Sequence, residues 1–201
     1  MQMKEERKSM LIVISGPSGT GKGTIRERLL AEDPSLTFSV SATTRYRRET
    51  EIDGVHYHFI SEAEYDRLLE EDAFLEHATV HAHRYGTLKS QVQELMDKGL
   101  NVVLDIDPQG AREVMRQRPD CVSIFILPPS YEALRVRLHT RNTDDPKEIE
   151  RRLGNAKGEI EQMQRYRYAV VNDDLELAYQ QVASIIAAEK QRTTRYIPVI
   201  E

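Results

Sequence analysis

Gly16, Pro17, Ser18, Gly19, Thr20, Gly21, Lys22, Gly23 and Thr24 follow one another without a break. A glycine-rich run of this kind lets successive backbone N–H groups turn toward one anion, while Lys22 adds a mobile cation. Polyphosphate is the ligand that suits it. Gly23 stands where the common form of such a loop has Ser or Thr, and Thr24 follows one place on. Thr24 is therefore expected at a phosphate, with a magnesium ion held through water and the nucleotide's own oxygens.

Asp105 and Asp107 close the apolar run 101–105. Alternation along a strand puts the two carboxylates on one side. Ligands of open parallel sheets bind outside the carboxyl ends of the strands, so both acids are expected to approach the Lys22 loop, with Asp105 near magnesium or its water shell. Asp107, directly before Pro108, is equally placed to cap a helix. A third group gathers cations and hydroxyls: Ser41, Thr44, Arg45 and Arg48, then Tyr57 and Tyr85. Arginine forks and phenols together make an anion clamp.

The elements that must position these groups are legible in outline. Residues 10–15 read as a buried strand ending at the glycine cluster, and 24–31 as a helix that Asp33 and Pro34 terminate. The order returns with a strand at 101–105, a turn at 108–110 and a helix at 111–117. Residues 122–127 and 169–171 read as further strands, and 131–139 and 147–165 as helices. Strands alternating with helices imply a doubly wound α/β parallel sheet of about five strands. Residues 37–44 and 55–60 alternate apolar and polar residues, as half-exposed strands do, and place an inserted mixed or antiparallel lobe at about 36–88. The core is then 10–35 and 89–190 of a single domain. Residues 191–201 lack periodicity and are expected to form a loosely held tail.

At 201 residues and 39% hydrophobic, the chain suits one sizeable core. A formal net charge of -5 argues against general affinity for nucleic acid or an anionic membrane. The lone Cys121 cannot form an internal disulfide, and no apolar run reaches the length of a bilayer span, so a reducing, cytoplasmic setting is expected. His56, His58, His77, His81 and His83 crowd the inserted lobe, but no cysteine or familiar zinc spacing accompanies them, and packing or exposure is expected for them.

Ser41, Thr44, Arg45 and Arg48; Gly54, Tyr57 and Phe59; Phe74 and Glu76; and Tyr85, Gly86 and Thr87 fall at the spacings Ser-x-x-Thr-Arg-x-x-Arg, Gly-x-x-Tyr-x-Phe, Phe-x-Glu and Tyr-Gly-Thr. In this order they resemble the guanylate kinase family, over a stretch from Leu11 to about Ala187. The resemblance implies that Arg45, Arg48, Tyr57 and Tyr85 hold the GMP phosphate and that Ser41, Glu76, Thr87 and Asp107 surround the base. It also implies ATP as donor with Mg2+, a catalytic Lys22, and a mobile lid at about 137–152 carrying Arg137, Arg141 and Arg152. Asn172 matches the turn that borders adenine in the family, and a helix cap would explain it equally. The acceptor is expected to be GMP, and these residues do not separate it from dGMP. An inactive phosphopeptide-binding scaffold of the same fold is the alternative, and so is a kinase for another small phosphorylated acceptor. Arg47 and Thr50 stand where the family commonly has proline and glycine, so the turn between them is expected to differ.

Overall fold

The computed structural model of the protein describes residues 5–80, 83–140 and 146–198. Strand β1 (Glu5–Arg7) precedes β2 (Leu11–Ser15), the glycine-rich loop and helix α1 (Lys22–Glu32). Then come β3 (Leu36–Phe38), β4 (Ala42–Thr43), β5 (His58–Phe59), α2 (Glu62–Glu70), β6 (Phe74–Val80), β7 (His83–Leu88) and α3 (Lys89–Asp97). The second half runs β8 (Asn101–Asp105), α4 (Pro108–Gln117), β9 (Val122–Leu127), α5 (Tyr131–Thr140) and α6 (Pro146–Glu161). A 3-10 turn (Gln162–Arg165), β10 (Tyr168–Val171), α7 (Leu175–Lys190) and β11 (Tyr196–Pro198) complete it.

Five strands form a wholly parallel sheet in the order β10-β9-β2-β8-β3. Its apolar runs are continuous because both faces are covered. Ile12 and Ile14 of β2 pack with Ile25 and Leu29 of α1 and Val182 and Ile186 of α7. The alternate residues Leu11 and Val13 pack on the other face with Val92 of α3 and Val114 of α4. Because the strands are parallel, β2 and β8 deliver the glycine loop and Asp105 to the same edge of the sheet.

A four-stranded mixed sheet, β5-β4-β7-β6, forms the inserted lobe, with α2 packed on it through Tyr65. Its boundary lies later than the alternation at 37–44 suggests. Leu36–Phe38 pairs parallel with β8, as the edge strand of the core sheet, and Leu36 is buried with Ile12. An edge strand is covered on fewer sides than a central one, and so shows the same alternation as a half-exposed lobe strand. Of residues 55–60 only His58–Phe59 is strand. The expected turn at 108–110 is instead the first turn of α4, with Pro108 at its start.

The tail also departs from expectation. Tyr196–Pro198 pairs antiparallel with Glu5–Arg7, and the buried Arg195 forms an ion pair with buried Glu189 and donates to the Asp120 carbonyl at 2.6 Å. No periodicity was there to read, because the partner strand lies at the far end of the sequence.

Candidate active site

The glycine loop is shaped by bonds that leave its rim open to a ligand. Lys22 Nζ donates to the carbonyls of Gly16 (2.6 Å) and Pro17 (2.8 Å), lying across the loop. The buried Thr20 hydroxyl donates to Pro17 O at 2.9 Å. Gly16, at φ 138°, sits so close to Ile126 O of β9 that a Cβ would overlap it. α1 begins at Lys22, so the backbone N–H groups of Gly23 and the exposed Thr24 lie in its first turn, the positive end of the helix.

Asn172 sits behind the loop. Its side-chain amide donates to Thr20 O at 2.8 Å and fills the space where a Cβ on Gly21 would lie. The cap of α7 falls instead to Asp174, which accepts from Leu177 N. Asn172 thus tethers the glycine loop from behind. On the rim, Arg152 of α6 donates to Ser18 Oγ at 2.9 Å, and Arg137 of α5 donates to the Asp173 carbonyl at 3.4 Å. Arg141 lies outside the described residues.

Across the cleft, a cavity of about 240 Å³ is lined by Ser41, Tyr57, Glu76, Tyr85, Asp105, Ile106 and Asp107. Glu76, 4% exposed, forms part of its wall. The Thr87 hydroxyl donates to Glu76 Oε1 at 2.5 Å. Burial pushes the Glu76 carboxyl up to about 7, against the pull of the Thr87 bond, and the nearby Asp107 and Glu113 push the same way. Asp107 Oδ1 caps α4, accepting from Gln109 N (2.7 Å) and Gly110 N (3.0 Å), while the residue also lines the cavity. Asp107 therefore caps the helix and lines the cavity at once.

Arg45 lies beside Tyr57, its guanidinium carbon 5.5 Å from the centre of that ring. Arg45 Nη2 lies 2.6 Å from Glu51 Oε1 and Nη1 3.0 Å from Oε2, a bidentate pair. Hydrogen bonding from Arg45 pulls the Glu51 carboxyl down to about 2. A third bond to the Glu51 carboxylate, from Arg48 N at 2.8 Å, ties the turn together. That turn needs no positive φ at Thr50: Asp72 is the one non-glycine residue with positive φ among those described. Tyr57 stacks edge-on against Tyr85 at 5.8 Å, and burial raises its phenol. The side chains of Arg47 and Arg48 are exposed.

A second cavity of about 730 Å³ joins the first at Asp105 and Asp107 and runs past Lys22 and Ser18 to α6, where Arg151, Arg152 and Glu159 face it. Three further residues escaped the sequence reading: Arg26, whose Nη1 lies 3.2 Å from Asp105 Oδ2, Glu51 and Glu159. Arg26 lies four places after Lys22 and Glu159 seven after Arg152, helical spacings that could have found both. Glu51 sits in a turn, where no spacing rule operates.

A phosphate loop at the carboxyl edge of a parallel sheet, facing a lobe built around a buried carboxylate, defines a nucleoside monophosphate kinase of the P-loop class. The chain belongs to the guanylate kinase family, whose model, described as guanylate kinase, matches residues 8–189. It is 49% identical over 193 residues to the guanylate kinase of Symbiobacterium thermophilum, covering 96% of this chain and 92% of that one. It is 48% identical to the guanylate kinase of Caldanaerobacter subterraneus, covering 96% and 94%. The crystal structure of guanylate kinase from Anaplasma phagocytophilum superposes with a TM-score of 0.77 at 34% identity, over 97% of this chain and 92% of that one. No helix among the described residues is long and apolar enough to cross a membrane.

Proposed function

We propose that the protein transfers the γ-phosphoryl group of ATP to the phosphate of GMP, giving ADP and GDP, in the cytoplasm. The observation that carries this reading is Glu76, a buried carboxylate in the wall of a nucleotide-sized cavity that opens at Asp105 toward the glycine loop. Guanine presents N1–H and N2–H2 side by side, and one carboxylate accepts both; adenine offers an acceptor at N1 and no amino group at C2. A site built on such bonds rejects a ligand lacking them by roughly 10⁴-fold. Arg45, Arg48, Tyr57 and Tyr85 take the acceptor phosphate, with Ser41 and Asp107 beside the base and Thr87 holding Glu76.

The chain needs no nucleophile of its own, since the acceptor phosphate is already ionised. Lys22 and the loop amides hold the donor phosphates, and Arg137, Arg141 and Arg152 bring positive charge over them while the lid excludes water. Among the described residues no group of three or more His, Cys, Asp or Glu could cage a metal. The Asp105 carboxylate, which lines the cleft together with Lys22, fits a magnesium ion held mainly by phosphate oxygens and water. When bound, that ion neutralises charge on the donor phosphates.

Steady-state ADP production with ATP and magnesium, comparing GMP, AMP, CMP and UMP, tests the reading. Turnover confined to GMP and abolished in Lys22→Ala supports it. Absence of turnover with every acceptor would sink it and favour the phosphopeptide scaffold.

A further inference from the structure

The cations discussed so far at the acceptor side sit on the inserted lobe, and those at the lid sit on α5 and α6. Arg26 sits on neither. It projects from α1 one helical turn after Lys22, within the frame that the core sheet holds rigid. Its guanidinium carbon lies 4.5 Å from the centre of the Phe38 ring, and Nη1 lies 3.2 Å from Asp105 Oδ2. Ring and carboxylate together fix the plane of the fork.

This fork faces a cavity of about 360 Å³ that the phosphate loop lines on one side, through Gly21 and Lys22, and the lobe on the other, through Ser41 and Tyr57. Among the described residues lining it, Lys22 and Arg26 are the fixed cations and Asp105 the carboxylate. Of the five N–H donors of a guanidinium, one is engaged by Asp105 and one by the exposed Glu27 at 3.3 Å, so donors remain for a third oxyanion. A cavity of net positive charge between a donor-phosphate loop and an acceptor clamp is where the acceptor phosphate meets the moving phosphoryl group.

Resting on the functional reading above, we propose that Arg26 is a further substrate-contacting residue of the reaction, donating to an oxygen of the acceptor phosphate. Lys22 is committed to the donor side by its bonds to Gly16 and Pro17. The lobe cations Arg45 and Arg48 follow β4 of the separate four-stranded sheet. Arg26 supplies a cation whose position does not depend on domain closure, preorganised for charge shared between the two phosphates.

The competing account is that Arg26 only neutralises Asp105. Calorimetric titration of GMP without ATP separates the two, using Arg26→Met, Asp105→Asn and the double variant, with melting temperatures as the check on folding. A hydrogen bond to a charged group corresponds to about a tenfold to hundredfold change in affinity. Arg26→Met should therefore weaken GMP at least about tenfold while leaving the inhibition constant of guanosine, which lacks the phosphate, unchanged. The double variant should stay as far below Asp105→Asn alone. Recovery of GMP affinity to that of Asp105→Asn, or an Arg26→Met protein that binds GMP as the parent does, would overturn the proposal. Arg26→Lys keeps the charge without the fork and should fall between parent and Met, which serves if the Met variant does not fold. If the parent neither binds nor phosphorylates GMP, the functional reading falls as well; if it does both and Arg26→Met matches it, this proposal alone falls.

Discussion

A methyl group at position 110 would overlap Oε2 of Glu76 and lie 3.0 Å from its Cδ. Gly110 occupies the first turn of α4, where its N–H also feeds the Asp107 cap. The missing side chain is therefore what leaves room for the carboxylate in the wall of the cavity. Gly110→Ala should displace Glu76 and raise KM for GMP by about tenfold or more, as for a lost hydrogen bond to a charged group, with KM for ATP little changed. Alanine favours the helix itself by ~1 kcal/mol, so the melting temperature should not explain the defect.

Glu76 links specificity to pH. Its carboxyl lies at about 7 in the folded protein against an ordinary 4.5, so folding favours the protonated form. The corresponding stability is complete below the unfolded value and is lost as pH rises through about 7. Glu76→Gln should therefore melt higher than the parent at pH 8, with a smaller advantage at pH 5.5, while its turnover of GMP falls by about a hundredfold or more. Guanine needs the ionised form. Guanosine, used as an inhibitor because it has no titrating phosphate, should bind the parent about tenfold more weakly at pH 6 than at pH 7.5. A flat profile would remove the carboxylate from guanine recognition.

Asn172 and Thr20 make a separable prediction. Removing the amide in Asn172→Ala leaves the Thr20 carbonyl without its side-chain donor, at a cost of about 1–3 kcal/mol. The loop it tethers should bind ATP several-fold more weakly, with KM for GMP kept. Unchanged KM for ATP together with a lowered melting temperature would make Asn172 a packing residue only.

Arg195 should matter for stability and not for chemistry. Burial alone would raise the Glu189 carboxyl, but a 2.6 Å bond from Tyr168 and the Arg195 charge hold it below the ordinary range. That stability is present above the unfolded value and is lost as pH falls. Arg195→Ala leaves Glu189 buried without its main partner and should cost about 3–5 kcal/mol at pH 7 by chemical denaturation, with kcat per folded molecule unchanged.

What the sequence made legible was local chemistry. The run from Gly16 to Thr24, the acids at 105 and 107 and the lobe motifs are short-range patterns, and the structure brings Lys22, Asp105, Asp107 and the tyrosines to adjoining cavities. What it hid depended on distant partners. β3 looked like a lobe strand because alternation reports how much of a strand is covered and not which sheet it joins. The tail looked loose because Glu5 and Pro198, which pair across the ribbon, share no local signal. Asn172 was read as a base contact or a cap, and its bond to Thr20 spans the phosphate loop from behind. Arg26 lies at a helical spacing from Lys22 and still escaped, because its pairing with Asp105 joins two elements whose adjacency only the sheet order supplies.

The tether from Asn172 to Thr20 also fixes when the nucleotide site comes into being. The amide that holds the loop leaves the ribosome 152 residues after Thr20, and the β9 carbonyl beneath Gly16 also comes long after the loop. At ordinary synthesis rates the interval is roughly 8 to 30 s. A nascent chain carries the loop sequence through that time without this tether, so ATP enters as a ligand of the assembled sheet and not as a template for building it.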